Sequence, residues 1–236
     1  MIARELQGLT IHLPKKITDF VKNEKIENRF TNNRYEAEEI YLICKYLQSD
    51  DIVLELGASI GGTSCVINNS LTNKTNMVSV EANPDVMYVL ENNRNINNLK
   101  FNIKHGAVSW ENKKIKFNYG CGFLGGSILY KTWLEKYSKQ TKQGEYKNIE
   151  LTTLTPLDIE KEYNLKFNFL SCDIEGEEYN LLYNLFDYFN QYRCIMVEFH
   201  SWAETTSLNR NYIENMYKQN FLIERKGQST IFYKKN

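Results

Sequence analysis

Residues 53–64 combine a short apolar strand with a glycine-rich turn that leads into a helix, and this pattern constrains the fold more than any other part of the chain. Gly57 can adopt the backbone angles of a tight turn, and Gly61 and Gly62 would let a ligand approach the start of the helix. A second apolar run ends at Glu81, about 20 residues further on, where doubly wound nucleotide folds place an acid for the ribose hydroxyls. The pattern predicts an α/β fold with a nucleotide-type cofactor pocket.

Two residues of this segment indicate which nucleotide the pocket would take. Dinucleotide folds carry G-x-G-x-x-G, whose middle glycine admits a pyrophosphate, but Ser59 stands at that place here. Glu55 lies in the strand just before the turn, and its carboxylate would repel a phosphate. It would suit S-adenosylmethionine, which carries a sulfonium and an ammonium group. A glycine turn in some other α/β protein remains the alternative.

Composition bounds the domain count and the classes of partner. The chain has 236 residues, 42% of them hydrophobic, which is enough for one large α/β domain. Lys plus Arg and Asp plus Glu each number 29, so the formal charge is +0 and no nucleic-acid substrate is expected. We expect a cytoplasmic protein, because five cysteines leave one unpaired and none forms a C-x-x-C pair. No membrane span is expected, because the sequence has no long apolar segment.

Alternating strands and helices predict a mostly parallel sheet with helices on both faces, whose ligands gather at the carboxyl ends of the strands. Residues 1–34 are interpreted as a polar, irregular N-terminal extension or cap, and residues 35–236 as one domain. Predicted strands cover 52–56, 77–80, 101–104, 167–173, 194–199, 221–224 and 230–233, and predicted helices lie within 35–47, after Gly61, from Asn83-Pro84, at 177–186 and at 210–218. The last two strands are expected to form a closing antiparallel pair.

An insertion at about 111–148 interrupts this alternation. Residues 113–130 alternate weakly and contain four glycines, which predicts a β-hairpin with a glycine loop, followed by a polar stretch to Lys147. We interpret the insertion as a lid that binds the acceptor. The aromatic side chains of Phe123, Tyr130 and Trp133, together with Trp202, would suit stacking on a sugar ring.

Ionisable residues follow the fourth and fifth predicted strands of the domain. Alternation places Asp173 and Glu175 on one side of the first and Glu198 and His200 on one side of the second, so these groups would converge at the pocket. Asp173 or His200 is the candidate general base, although a loop histidine bonded to backbone is an equal reading of His200. A divalent cation held by Asp173, Glu198 and His200 is a further alternative that no ligand spacing enforces. Glu177 and Glu178 are interpreted as helix N-terminal acids that offset the macrodipole.

Five segments in this order carry a resemblance to a known family: Glu55-Leu-Gly-Ala-Ser-Ile-Gly61, Val80-Glu-Ala-Asn-Pro84, Gly106-Ala-Val-Ser109, Asp173-Ile-Glu-Gly-Glu177 and Val197-Glu-Phe-His200. Over roughly residues 35–200 the chain resembles the FkbM family of S-adenosylmethionine-dependent methyltransferases. The resemblance implies a Rossmann-like class I methyltransferase fold, with a seven-stranded sheet and a reversed last strand. It also implies O-methylation of a hydroxyl on a sugar, a glycan or a small natural product.

The resemblance also implies a set of cofactor-binding residues. It places Glu55, Gly57 and Ser59 beside the methionine part, Glu81 at the ribose hydroxyls, Ala107, Val108 and Ser109 near the adenine, and Asp173 facing the sulfonium or the acceptor. The expected cofactor-binding set also includes Ala58, Gly61, Ala82, Asn83, Gly106 and Glu175. Tyr35 and Glu36, just before the first helix, would fold over the cofactor, unless they only cap the surface.

Three other functions are compatible with parts of the sequence. An NAD(P)-dependent oxidoreductase would share the fold, but the missing G-x-G-x-x-G argues against it. A non-catalytic methyltransferase-like module would bind a partner through the same pocket. A nucleic-acid methyltransferase is disfavoured by the balanced charge and by the absence of an Asn-Pro-Pro-Tyr-like element. Neither the acceptor nor the oligomeric state has a sequence signature.

Overall fold

The computed structural model describes residues 2–13, 35–120, 126–127 and 146–234. Its strands are β1 (Ile2–Leu6), β2 (Leu9–Leu13), β3 (Val53–Leu56), β4 (Met77–Glu81), β5 (Asn102–His105), β6 (Lys114–Gly120), β7 (Tyr146–Thr152), β8 (Phe169–Cys172), β9 (Cys194–Glu198), β10 (Leu222–Lys226) and β11 (Ser229–Tyr233). Its α-helices are α1 (Ala37–Tyr46), α2 (Gly62–Ser70), α3 (Met87–Ile96), α4 (Pro156–Tyr163), α5 (Glu178–Asn184), α6 (Phe186–Phe189) and α7 (Arg210–Tyr217). Among these described residues, no helix is both long and apolar enough to cross a bilayer.

Seven strands form one mostly parallel sheet in the order β10-β11-β9-β8-β3-β4-β5. Strands β3, β4, β5, β8 and β9 pair in parallel, whereas β11 inserts between β9 and β10 and is antiparallel to both. The Rossmann-like α/β fold and the reversed last strand are therefore as expected. After β3 the chain forms β4 and β5 on one side of it, and later β8 and β9 on the other side. The direction of winding therefore changes at the β3–β8 pair. Ligands of open α/β sheets bind at such a point.

Successive side chains of the central strands pack on opposite faces of the sheet. Val53 joins the apolar cluster that contains Ile43 of α1 and Ile67 of α2. Its neighbour Leu54 joins the cluster on the other face, with Leu182 of α5 as one member. Because both faces are covered, the central strands are apolar on both sides, and this explains why the sequence shows continuous apolar runs there.

The N-terminal segment is more regular than the sequence indicated. Strands β1 and β2 form an antiparallel hairpin, and Gln7 and Gly8 at its turn both have positive φ, as a two-residue hairpin turn requires. The side chain of Asn93 in α3 binds the backbone of His12 in both directions, at 2.7 Å and 3.1 Å. The expectation of an irregular segment was wrong over residues 2–13. The missed signal was the alternation Leu-Thr-Ile-His-Leu at 9–13, whose apolar members are buried.

The insertion contains a longer ribbon than the predicted hairpin. Strand β6 pairs along its whole length with β7, in the register Lys114 to Thr152 and Gly120 to Tyr146. The sequence reading placed both strands within 113–130 and missed β7, because most side chains of β7 are solvent-exposed or half-buried and leave little alternation. Phe123, Tyr130 and Trp133 lie outside the described residues.

The helix predicted from Asn83-Pro84 starts later than expected. Helix α3 begins at Met87, and residues 83–86 form a turn instead. The side-chain oxygen of Asn83 accepts a hydrogen bond from the backbone N–H of Asp85 at 3.0 Å. Such a local bond competes with helix formation, which is why the helix starts only after the turn.

Candidate active site

A pocket opens at the carboxyl ends of β3, β4 and β8, where the sheet topology predicts a ligand site. It encloses about 1020 Å³, including its solvent-open mouth. Most of the residues expected to bind the cofactor line it: Tyr35, Glu36, Glu55, Gly57, Ala58, Ser59, Glu81, Ala82, Gly106, Ala107, Val108, Asp173 and Glu175. Gly61, Asn83 and Ser109 do not line it. Ser109 lies behind the wall and donates a hydrogen bond to Glu177 at 2.5 Å.

The glycines of the first turn are required by close packing of the protein itself. Gly57 has φ 87°, and a Cβ atom built there would lie 1.7 Å from the backbone carbonyl oxygen of Asp173. At Gly61 a Cβ would lie 2.6 Å from a methyl carbon of Leu90, and at Gly62 it would lie 2.5 Å from the ring of Tyr35. The sequence reading assigned Gly61 and Gly62 to ligand approach. Their neighbours in the structure are side chains of the protein.

Glu81 is held by two backbone N–H groups at the end of β4. One carboxylate oxygen accepts from Ser59 N at 2.6 Å and the other from Asn83 N at 2.6 Å. Burial raises the pKa of Glu81 to about 7, although these N–H donors oppose the shift. Each carboxylate oxygen has a second lone pair, so Glu81 can still accept hydrogen bonds from a ligand.

Glu55 lies beside Glu81 on the neighbouring strand and is also buried. One of its carboxylate oxygens accepts a hydrogen bond from the hydroxyl of Ser64, at 2.5 Å. Burial raises the pKa of Glu55 to about 7; hydrogen bonding lowers it, and the charge of Glu81 adds to the rise. The two carboxyl groups are thus poised to ionise when a cation arrives.

Asp173 follows β8 and lies at the mouth of the pocket. Burial raises the pKa of its carboxyl well above the usual range, and the charges of Glu198, Glu39 and Glu175 raise it further. Its buried Oδ1 has no hydrogen-bond partner among the described residues. The carboxyl group of Asp173 is therefore more basic than that of an ordinary aspartate, and Asp173 lines the pocket.

His200 lies behind Asp173 and does not itself line the pocket. Its Nε2 is 3.2 Å from Glu175 and 3.6 Å from Asp173, and its Nδ1 is 3.1 Å from Glu178. Burial lowers the pKa of His200, but the hydrogen bond and charge of Glu178 and the charges of Glu175 and Glu198 outweigh it and raise the pKa to about 9. The neighbouring acids therefore favour the protonated form of the imidazole.

The expected cation ligands were Asp173, Glu198 and His200, whereas the structure brings Asp173, Glu175 and His200 together. Ligand atoms of Asp173, Glu175 and His200 lie within 4.8 Å of one another, whereas Glu198 is outside this group and accepts from Gln228 at 2.9 Å. An imidazolium that faces carboxyl oxygens of Asp173 and Glu175 through Nε2 accounts for this geometry. We therefore assign no metal to it.

Glu177 and Glu178 lie at the start of α5, where the sequence analysis placed them as N-terminal acids. The residue preceding the helix, Glu177, makes no side-chain cap hydrogen bond, and its carboxylate instead binds Ser109 and Asn180. The carboxylate of Glu178 binds His200 and the N–H of Gly176. In addition to their place at the helix start, the two acids therefore have partners that are distant in the chain, Ser109 for Glu177 and His200 for Glu178.

Sequence reasoning missed Glu39, a buried acid of α1 that lines the pocket. Thr63 donates a hydrogen bond to it at 3.4 Å, and burial raises the pKa of Glu39 well above its usual range. The signal was present, because Glu39 lies four residues before Ile43 on the apolar face of the helix. Other lining residues absent from the expected set are Leu56, Thr63, Val80, Phe117, Gly126, Ser171, Ile174 and Glu177.

Comparisons with known proteins bear on the family and on the fold. The sequence profile of the methyltransferase FkbM domain matches residues 55–223. Comparison with curated protein sequences finds no significant match.

Several solved structures align with most of this chain at low similarity. A Klebsiella pneumoniae protein assigned as an O-methyltransferase has a TM-score of 0.46 and 8% identity, over 96% of this chain and 92% of that one. The O-methyltransferase from Bacillus cereus in complex with SAH has a TM-score of 0.45 and 12% identity, over 95% and 93%. The SAH-bound Podospora anserina methyltransferase PaMTH1 has a TM-score of 0.43 and 10% identity, over 96% and 91%.

Proposed function

Because the chain belongs to the FkbM methyltransferase family, we propose that it transfers the methyl group of S-adenosylmethionine to a hydroxyl of a sugar, a glycan or a small natural product. Methyl transfer is the activity of the family. The cofactor, the hydroxyl acceptor and the residue roles below are our proposal, and they rest on the charge of the pocket.

The charge of the pocket lining carries the proposal. Seven acids line it, and the described lining contains no lysine or arginine: Glu36, Glu39, Glu55, Glu81, Asp173, Glu175 and Glu177. A pyrophosphate in such a pocket would lie beside acids, and each of them would repel it when ionised, by about 4 kcal/mol at 4 Å near a protein surface. A sulfonium and an ammonium group would instead be attracted. The same observation disfavours an NAD(P)-dependent oxidoreductase.

The cofactor would lie across the carboxyl ends of β3 and β4. Glu81 would accept hydrogen bonds from the ribose hydroxyls, since its remaining lone pairs lie at the pocket wall. Glu55 with the turn of Gly57 and Ser59 would hold the methionine part. Ala107 and Val108 would pack against the adenine.

Asp173 would accept the proton of the acceptor hydroxyl. In the reaction the S–CH₃ bond breaks and an O–CH₃ bond forms, the electron pair of the broken bond stays on sulfur, and the hydroxyl proton passes to the Asp173 carboxylate. A bound sulfonium stabilises the ionised form of Asp173, so cofactor binding would itself prepare the base. Alignment of the two reactants supplies about 7 to 11 kcal/mol, and a general base about 10²- to 10⁴-fold in rate, so positioning is the larger contribution.

The acceptor would enter beside Trp202, whose exposed ring lies 5.8 Å from the ring of His200. An aromatic face next to the imidazole that contacts Asp173 suits a sugar ring, because the C–H faces of sugars stack on aromatic rings. The ribbon of β6 and β7, which overlaps the 111–148 insertion and extends to Thr152, would act as the lid. Residues 1–34 would act as a cap, and residues 35–236 as the catalytic domain. Four free cysteines among the described residues agree with a cytoplasmic location.

A panel experiment tests the proposal. The protein is incubated with S-adenosylmethionine and with sugars, glycans, nucleotide sugars and small phenols or alcohols, and S-adenosylhomocysteine is measured by mass spectrometry. Thermal shifts with S-adenosylmethionine, NAD and NADP are recorded in parallel. We expect stabilisation by S-adenosylmethionine alone and product with a hydroxyl acceptor. Stabilisation by NAD or NADP would favour the oxidoreductase. Binding of S-adenosylmethionine without turnover on any acceptor would favour the non-catalytic module.

A further inference from the structure

Glu178 connects the two loops that carry the ionisable groups of the site. It is fully buried at the start of α5. One of its carboxylate oxygens accepts from the backbone N–H of His200 at 2.9 Å and contacts the Nδ1 of the same residue at 3.1 Å. The other oxygen accepts from the N–H of Gly176 at 2.6 Å. One carboxylate thus joins the loop after β8 to the loop after β9.

The loop after β8 needs such support because its backbone is strained. Glu175 has φ 55° and Gly176 has φ 109°, and a non-glycine residue with positive φ costs free energy. Ser127 donates a hydrogen bond to the carbonyl oxygen of Glu175 at 2.7 Å, on the opposite side from Glu178. The turn that presents Glu175 to His200 is therefore held at two points.

We propose that Glu178 is a positioning residue for the methyl-transfer site: it holds the imidazole of His200 through Nδ1, so that Nε2 faces the pocket acids Asp173 and Glu175. This inference rests on the proposed function, since Asp173 is the residue assigned there as the base. Glu178 itself does not line the pocket and acts through His200.

The contact between Nδ1 and Glu178 determines which ring nitrogen of His200 carries a proton and how the ring is oriented. An ionised carboxylate can only accept hydrogen bonds, so Nδ1 carries a proton in this contact and the ring cannot flip without losing it. Nε2 then contributes the second N–H of the imidazolium toward Asp173 and Glu175. The charged groups that face His200 are Glu178 from α5, Asp173 and Glu175 from the loop after β8, and Glu198 from β9. His200 offsets the mutual repulsion of these acids.

Glu177 provides a matched comparison. It is also buried and directly precedes Glu178 in the chain, but its carboxylate binds Ser109, Asn180 and, at 3.4 Å, the ammonium of Lys113, and it has no described contact with His200. A general effect of removing a buried carboxylate from this helix should therefore appear in both Glu177→Gln and Glu178→Gln. An effect on the imidazole should appear only in the second.

The test follows the His200 ring by ¹⁵N-edited NMR in the full-length protein. The sequence has three histidines, and His200→Asn identifies the signal. In the wild type we expect both ring nitrogens to be protonated at pH 7, with a midpoint near 9. Glu178→Gln should lower the midpoint by at least about one pH unit, as loss of a close opposite charge does. Glu177→Gln should change it by less than half as much.

Kinetics supply the second measurement. With an acceptor found in the panel, Glu178→Gln should lower kcat by about 10- to 100-fold and leave the KM for S-adenosylmethionine within about threefold, and Glu178→Asp should recover part of the loss. An unchanged His200 signal and unchanged kcat in Glu178→Gln would overturn the inference. If that variant does not fold, a wild-type midpoint at or below 6.5 overturns it. The NMR measurement needs neither cofactor nor acceptor, so failure of the proposed function is distinguishable from failure of this inference.

Discussion

The backbone carbonyl oxygen of Asp173 occupies the space that a side chain at Gly57 would need, 1.7 Å from the ideal Cβ position. The turn that would hold the cofactor and the loop that carries the proposed base are therefore in direct backbone contact. The N–H of Asp173 also donates to the carbonyl of Leu56 at 2.9 Å. A change in one turn must displace the other.

Gly57→Ala should therefore destabilise the protein and abolish cofactor binding. We expect a loss of about 3 kcal/mol or more in the free energy of unfolding, because positive φ and a backbone clash act together. Gly8→Ala is the matched control, since Gly8 also has positive φ (77°) but no atom within 4 Å of its Cβ position. It should cost only about 1 to 2 kcal/mol. Urea unfolding and calorimetric titration measure both effects, and equal losses in the two variants would contradict the close-packing argument.

Glu81→Ala should raise the dissociation constant for S-adenosylmethionine by about 100-fold or more. Hydrogen bonds to a charged group contribute about 1.5 to 3 kcal/mol each, and two ribose hydroxyls would be lost at once. The exposed Glu91 serves as control, and Glu91→Ala should leave the affinity unchanged. Isothermal titration calorimetry with folded variants checks this, and an unchanged affinity in Glu81→Ala would remove the ribose assignment.

Cofactor affinity should weaken as the pH falls below about 7. The pKa values of Glu55 and Glu81 are raised to about 7, so below that pH both acids hold protons that a cationic ligand must displace. Since the folded-state values lie above the unfolded ones, the stability that these groups contribute to the free protein is full below pH 4.5 and is lost as the pH rises through 7.

Titrations between pH 5.5 and 8 in two buffers of different ionisation enthalpy measure this proton release. The effect should be smaller for S-adenosylhomocysteine, which lacks the sulfonium charge. Binding of S-adenosylmethionine that is independent of pH, without proton release, would contradict a role for these carboxyls in holding the cation.

Asp173→Asn should lower kcat by about 10²- to 10⁴-fold, because it removes the proton acceptor while keeping the shape of the side chain. His200→Asn should also reduce kcat, by loss of the charge that orients Asp173. EDTA should leave the wild-type rate unchanged, since no metal is assigned. If both variants keep activity within tenfold of the wild type, Asp173 and His200 are rejected as catalytic groups. If EDTA abolishes the wild-type activity and magnesium restores it, a cation is assigned to Asp173, Glu175 and His200.

The parts of the fold that local sequence encodes were predictable. The turn after β3 was predictable because Gly57 follows an apolar run directly. The acid at the end of β4 was predictable because Glu81 ends the next apolar run. Hairpin β1–β2 was missed although its alternation was visible, and β7 was missed because its exposed side chains leave no apolar pattern.

The role of Glu178 was not predictable from its position. Its place at a helix start indicates a cap, and its partner His200 is 22 residues away in another loop. Only the three-dimensional direction of the side chain separates a capping acid from one that holds an imidazole. Glu39 differs from Glu178, because its place on the apolar face of α1 was a visible signal, although no local partner in the chain marked it as a pocket residue.

The acids around the pocket bear on the activation barrier of the proposed methyl transfer. Before reaction, the proposed site would contain a positive sulfur and a negative oxygen on Asp173; afterwards both atoms would be neutral. The two charges vanish in the same event, so the transition state disperses charge, and surroundings that solvate ions poorly speed such a step relative to bulk water. The fold would then gain rate simply by excluding solvent from the pocket.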